Sequence, residues 1–197
     1  LLVISDEIHC DMAIFGHKHI PFATVSEKAR ENSITFQAPT KTFNIAGIIS
    51  SYAIIPNADI RKKFYGWIKA NELDEANIFA PIATIAAFTK GEEWRKSMLT
   101  YIEDNVRFVE EYCEKNIPQI HPLRPQASFL IWLNCRELNL DHKDLLDLFI
   151  DKAHLALNDG EMFGQGGEGF MRMNIATPRS VIKQALDQLA TAVNNLK

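Results

Sequence analysis

The sequence predicts an α/β protein that continues into a smaller α+β domain. Three observations carry this. Short apolar runs at residues 1–5, 34–37 and 52–55 show no polar alternation. Unalternating runs suit strands covered on both faces, as in a parallel sheet. From Glu92 the pattern changes to a helical period, and beyond Pro118, Pro122 and Pro125 short strand-like runs alternate with amphipathic stretches.

In chain order, residues 1–5 read as a buried strand with no initiator Met before it. Such a strand needs neighbours on both sides, so an N-terminal part of the protein is expected to lie outside this chain. Residues 78–88, rich in Ala and Ile, read as a buried helix. Trp94, Met98, Ile102, Val106, Val109 and Cys113 recur at three- and four-residue steps, which gives one apolar stripe along a long helix. After the prolines the expected order is a strand at 128–133, a helix at 143–153, a strand at 155–158, a mobile glycine-rich loop and a strand at 170–175. Thr177 and Pro178 predict the start of a last helix, Thr as cap and Pro at the first helical position. Its buried face is expected from Val181, Ile182, Ala185, Leu186, Leu189, Val193 and Leu196. The domain boundary is placed near residues 90–95, giving 1–92 and 93–197.

Composition narrows the function. The 197 residues are 47% hydrophobic and 23% charged, enough apolar material for a sizeable core. A net charge of −4 without a basic run argues against nucleic-acid binding. No apolar run approaches the ~20 residues that span a bilayer. Cys10, Cys113 and Cys135 are odd in number and widely spaced. That fits reduced thiols in the cytoplasm and neither a disulfide framework nor a zinc site.

Four stretches could carry chemistry. Asp6-Glu7-Ile8-His9 follows the first strand, and the carboxyl end of a strand is where α/β sheets bind ligands. An Asp there can pair with a protonated heterocyclic nitrogen. It can equally cap a helix, or form half a metal site with Glu7, His9 and Asp11. Lys41 lies between the strand at 34–37 and the apolar run Phe43-Asn44-Ile45-Ala46-Gly47. Burial there would lower its pKa and make the amine a nucleophile and base; the alternative is a solvated surface lysine. Gly164-Gln165-Gly166-Gly167-Glu168-Gly169 satisfies G-x-G-x-x-G by letter, but runs into a strand where a nucleotide fingerprint opens a helix. Arg172 shares a strand face with Asn174, opposite Met171, Met173 and Ile175. Its planar fork suits a carboxylate, or it faces water from an edge strand.

In combination, Ser5-Asp6-Glu7-Ile8-His9-Cys10-Asp11-Met12, His19-Ile20-Pro21, Lys41-Thr42-Phe43-Asn44-Ile45-Ala46-Gly47 and Gly169-Phe170-Met171-Arg172-Met173-Asn174 with Pro178-Arg179 resemble the pyridoxal-5′-phosphate (PLP) enzymes of fold type I. Within aminotransferase class I/II the likeness is to the MalY/PatB type of cystathionine β-lyase. It covers nearly the whole chain, but only the C-terminal half of such an enzyme. The resemblance implies the C-terminal part of the PLP-dependent transferase fold, a partial large α/β domain plus a small α+β domain. It implies that Asp6 pairs with the pyridine nitrogen, that His9 lies near the ring's phenolic oxygen, and that Lys41 forms the Schiff base. Thr40 becomes a phosphate contact and Arg172 the holder of the substrate α-carboxylate, with no metal.

Two positions depart from the wider aminotransferase pattern. Ala38 stands three residues before the lysine in place of a hydroxyl, and Ile49 eight residues after it in place of an Arg. That leaves phosphate grip to Thr40 or Ser50 and to residues upstream of Leu1. The implied activity is β-elimination at a carbon–sulfur bond of a small amino acid, releasing pyruvate, ammonia and a thiol. The implied assembly is a homodimer, and the isolated chain is expected to be inactive. Amino transfer to a 2-oxo acid uses the same residues. A regulator built on the same scaffold, or a structural α/β domain without a site, are the readings from other classes.

Overall fold

In the computed structural model of the chain, residues 1–196 are described. The chain divides into two compact units, Leu1–Leu99 and Thr100–Lys197.

The first unit opens with β1 (Val3–Asp6), the short helix α1 (Glu27–Glu31) and β2 (Ser33–Gln37). Ser26 caps α1 by accepting the Ala29 N–H at 3.1 Å. β1 and β2 are parallel, with Val3 opposite Ser33 and Asp6 opposite Phe36. β3 (Tyr52–Ile54) completes the sheet in the order β1-β2-β3. It returns antiparallel to β2, not parallel as the sequence pattern suggested. Residues 38–51 hold a turn and one 3-10 helix, Ala46–Ile48, with no crossover helix that a parallel return would need. Asn44 and Ile49 adopt left-handed φ of 52° and 50° there.

α2 (Ala58–Ala70) follows, a helix its polar sequence had not announced; Asn57 Oδ1 accepts from Asp59 N at 2.9 Å and Ile60 N at 3.1 Å. α3 (Phe79–Lys90) covers the expected apolar helix. It is not buried, however: Ile78, Phe79, Ile82 and Ile85 are 63–76% exposed, and only Ala80 within the helix is buried. Apolarity belongs to the residues, whereas burial needs a neighbour, and no described element covers this face. β1 likewise lies at the sheet edge, with Ile4 exposed. Gly91 separates α3 from α4 (Glu92–Asn116). A Cβ on Gly91 would strike the Ala87 carbonyl and the Phe43 ring.

α4 begins in the first unit, where Trp94 is exposed, and in the second it buries Ile102, Val106, Val109 and Cys113, the stripe its spacing predicts. β4 (His121–Leu123) was hidden by its proline; Pro122 is tolerated because β4 is an edge strand. β5 (Leu130–Asn134) precedes α5 (His142–Asp147), which widens into a π turn over Leu148–Lys152. β6 is only Asn158–Asp159, not 155–158. Leu155 N donates to Phe149 O and Leu157 N to Leu155 O, so these residues spend their backbone donors locally. β7 (Phe170–Asn174) and α6 (Arg179–Asn194) end the chain.

The sheet order is β4-β5-β7-β6, all antiparallel. Ile131, Leu133, Met171 and Met173 bury one face, joined by Leu148, Phe149, Ile182, Leu186 and Leu189. Each such side chain contributes about 1.5–3 kcal/mol on full burial. Asn105, fully buried, is satisfied: its amide donates to Ile175 O at 2.9 Å and Thr177 O at 3.3 Å and accepts from Arg179 Nε at 3.1 Å. Pro178, not Thr177, occupies the cap of α6, and the Tyr101 hydroxyl takes the Arg179 N–H at 2.8 Å. Val181 is exposed, one position off the buried face.

Candidate active site

The parallel pairing of β1 and β2 brings their carboxyl ends to one edge of the first sheet. Asp6 ends β1 and is exposed; its Oδ1 accepts one long bond, from Ile8 N at 3.3 Å. Lys41 lies four residues beyond β2, in a turn closed by Phe43 N to Pro39 O at 2.9 Å and Ile45 N to Thr40 O at 3.0 Å. The turn buries Thr40 and Thr42 and leaves Lys41 exposed, the solvated one of the two placements the sequence allows. The apolar run after it is spent elsewhere: Phe43 stacks on Trp94 at 5.8 Å and meets Phe88 edge-on at 6.1 Å. His9 sits half-buried just before the 3-10 helix Cys10–Met12, its carbonyl accepting from Met12 N at 3.0 Å.

Glu7 does what the sequence did not disclose. It is 6% exposed. Its carboxylate accepts from Ser5 Oγ at 3.0 Å, His19 Nε2 at 2.7 Å, Phe22 N at 2.9 Å and Gln37 Nε2 at 3.4 Å. Burial pushes this carboxyl up, but the bonds from His19, Phe22 and Ser5 outweigh it and hold it below the ordinary value. Gln37 is fixed in turn by the Tyr52 hydroxyl at 2.9 Å. The end of β1 is thereby tied to residues 19–22 and to β2. The available signal was His19-Ile20-Pro21, a histidine before a proline turn, near an acidic pair at a strand end. Glu7 is thus committed to this network, and among the described residues no group of three or more His, Cys, Asp or Glu could hold a metal.

The donor set can be tested against PLP. A primary amine and a carboxylate share one sheet edge, both exposed and outside any ion pair among the described residues that involves them. They suit the aldehyde and the protonated ring nitrogen. The phosphate end is sparser. Ala38 offers no hydroxyl, Ile49 is apolar, and Ser50 Oγ is engaged with Thr84 Oγ1 at 2.7 Å. Thr40 and the buried Thr42 hydroxyl, which has no partner among the described residues, are what this chain brings.

In the second unit, Arg172 stands on the face of β7 opposite Met171 and Met173, as the alternation predicts. It is central, not on an edge: Trp132 of β5 and Asn158 of β6 flank it. Its Nη2 donates to Asn158 Oδ1 at 2.9 Å and its Cζ lies 4.3 Å from the Phe163 ring centroid. The glycine loop is pinned, not loose. Arg136 Nε donates to Glu168 O at 2.9 Å, and Gly160 and Gly167 approach so closely that a Cβ on either would strike the other's backbone. That close approach explains the glycines without a nucleotide.

The first unit sets an aspartate and a lysine-bearing turn at the carboxyl ends of parallel strands, and the antiparallel second unit presents an arginine. The chain matches Aminotransferase class I and II over residues 1–189 and belongs to that family. It is 38% identical over 192 residues to cystathionine beta-lyase PatB of Bacillus subtilis, covering 98% of this chain and 50% of that protein. It is 31% identical over 196 residues to protein MalY of Escherichia coli, covering 99% and 50%. Its structure matches cystalysin from Treponema denticola, which contains a pyridoxal 5′-phosphate cofactor, with a TM-score of 0.95 and 36% identity over 100% of this chain and 50% of that one. The chain thus spans about half the length of the relatives it matches. Among the described residues no helix is long and apolar enough to cross a membrane.

Proposed function

We propose that this chain carries the lysine-bearing part of a PLP-dependent carbon–sulfur β-lyase of the cystathionine β-lyase type. The observation that carries it is the parallel register that sets Asp6 and the turn bearing Lys41 at one edge of the first sheet, both exposed. Bound PLP supplies an electron sink for the negative charge left when the substrate's α-carbon loses its proton. Lys41 would hold the cofactor until the substrate's amine takes its place, and the freed Nζ would then take that proton. Asp6 accepts a hydrogen bond from the ring nitrogen and favours its protonated form. His9 would serve the phenolic oxygen, and Thr40 would contribute a phosphate contact. Arg172 holds the α-carboxylate and so fixes which substrate bond is broken. With sulfur on the β-carbon, the C–S bond breaks and the thiolate leaves with the electron pair; hydrolysis then gives pyruvate and ammonia. The working protein is a cytoplasmic homodimer in this reading.

The test is the full-length protein with PLP and L-cystathionine and no oxo acid. Pyruvate and ammonia released over many turnovers are expected. Activity only after addition of 2-oxoglutarate would make it an aminotransferase.

A further inference from the structure

One face of the second unit's sheet carries a row of five side chains that the chemistry above leaves unused except at its end. The Arg136 Cζ lies 4.6 Å from the centroid of Phe170. Phe170 meets Trp132 edge-on at 5.8 Å, and Trp132 meets Phe163 edge-on at 5.3 Å. Phe163 in turn lies under Arg172 at 4.3 Å. The row begins at the arginine that grips the glycine loop through Glu168 O and Gly166 O. It ends at the arginine assigned to the carboxylate.

Arg172 is held by two contacts of different kind. The Phe163 ring sets the plane of the guanidinium through its negative π face. Asn158 Oδ1, 2.9 Å from Nη2, sets its rotation within that plane. The Nε is buried and donates to nothing among the described residues. A planar fork held by a ring on one side and an amide at its tip is prepared for an anion with two oxygens. Phe163 ends the 3-10 helix Gly160–Phe163, whose placement depends on the close approach of Gly160 and Gly167. The glycine loop therefore reaches Arg172 through Phe163.

We propose that Phe163 and Asn158 are positioning residues that hold Arg172 in the orientation that receives a substrate α-carboxylate. The inference rests on the reading of Arg172 as the carboxylate anchor. It adds that the anchor's affinity is set by a ring and an amide on neighbouring elements.

The experiment compares the full-length holoenzyme with its Phe163→Leu, Phe163→Tyr, Asn158→Ala and Arg172→Ala variants. Two quantities are read: the KM and kcat for L-cystathionine, and the calorimetric Kd for propanoate, which has a carboxylate and no amine. Phe163→Leu and Asn158→Ala should each raise KM and the propanoate Kd about tenfold, with a smaller effect on kcat. Phe163→Tyr, which keeps the ring, should restore both. Arg172→Ala should weaken propanoate about a hundredfold. Folded Phe163→Leu and Asn158→Ala proteins that bind propanoate as the wild type does would overturn the proposal while leaving Arg172 as the anchor. An Arg172→Ala protein that still binds propanoate normally would instead remove the anchor itself. Should Phe163→Leu not fold, Asn158→Ala decides alone, since that side chain is exposed.

Discussion

Helix α3, rich in Ala, Ile and Phe, and helix α6, rich in Ala, Leu and Val, meet opposite fates. In α6, Ile182, Leu186, Leu189 and Val193 line one face and are at most 5% exposed, with Lys183, Gln184 and Thr191 on the other. In α3, Phe79, Ile82 and Ile85 remain 63–66% exposed. The polar residues of α6 tell its apolar ones which way to face, and neighbours within the same unit, the π turn at Leu148–Lys152 among them, supply the cover. α3 is apolar nearly all round, the pattern of a helix enclosed on every side, and the described residues supply no such enclosure. Stability and chemistry divide in the same way. The second unit holds most of the buried core, while the first holds Asp6 and Lys41 on an open edge.

The sharpest stress on that comparison is Phe149→Ala. Phe149 is wholly buried in the second unit, so the truncation should cost about 3–5 kcal/mol in urea unfolding. A cost under ~1 kcal/mol would mean the second unit is not the better packed one. Glu7→Gln tests the densely bonded carboxylate of the first unit. Losing the charge should cost about 1–3 kcal/mol near neutral pH. Because the folded-state carboxyl is held below its ordinary 4.5, its contribution is complete above that value and fades as pH falls through the lowered one. The gap between wild type and variant should therefore close at acid pH; a gap that does not change with pH would show that the charge is not what matters. Ile82→Ala, on the exposed face of α3, should shift the stability of the 197-residue chain by less than about 0.5 kcal/mol. A loss comparable to Phe149→Ala would erase the contrast between the helices.

Legibility in the sequence follows the same division. The α4 and α6 stripes could be read because each has a polar side, and the Met171/Arg172 alternation because β7 is covered on one face only. The exposure of α3 could not be read, since an apolar run does not say what covers it. The strand at 52–55 is legible but its antiparallel direction is not, because unalternating runs speak to burial and not to direction. β4 was missed because prolines mask an edge strand. At the site, Asp6, His9, Thr40, Lys41 and Arg172 were singled out from motif order, and the register that places Asp6 and the lysine turn at one edge came only with the fold. The roles of Glu7, Asn158 and Phe163 are not legible because they lie in partners 12 to 30 residues away for Glu7 and on neighbouring elements for the other two. The sequence does not decide between a buried and a solvated Lys41; its neighbours Thr40 and Thr42 take the buried positions.

The central claim is that Lys41 is the residue that carries the cofactor, and one measurement addresses it directly. The full-length protein is loaded with PLP, the lysine–cofactor linkage is trapped with borohydride, and the labelled peptide is mapped by mass spectrometry. The account predicts a single pyridoxyl label on Lys41, with the Lys41→Ala protein unlabelled at its site and its turnover lowered by about a thousandfold or more. A label on another lysine, or normal turnover in Lys41→Ala, would contradict it.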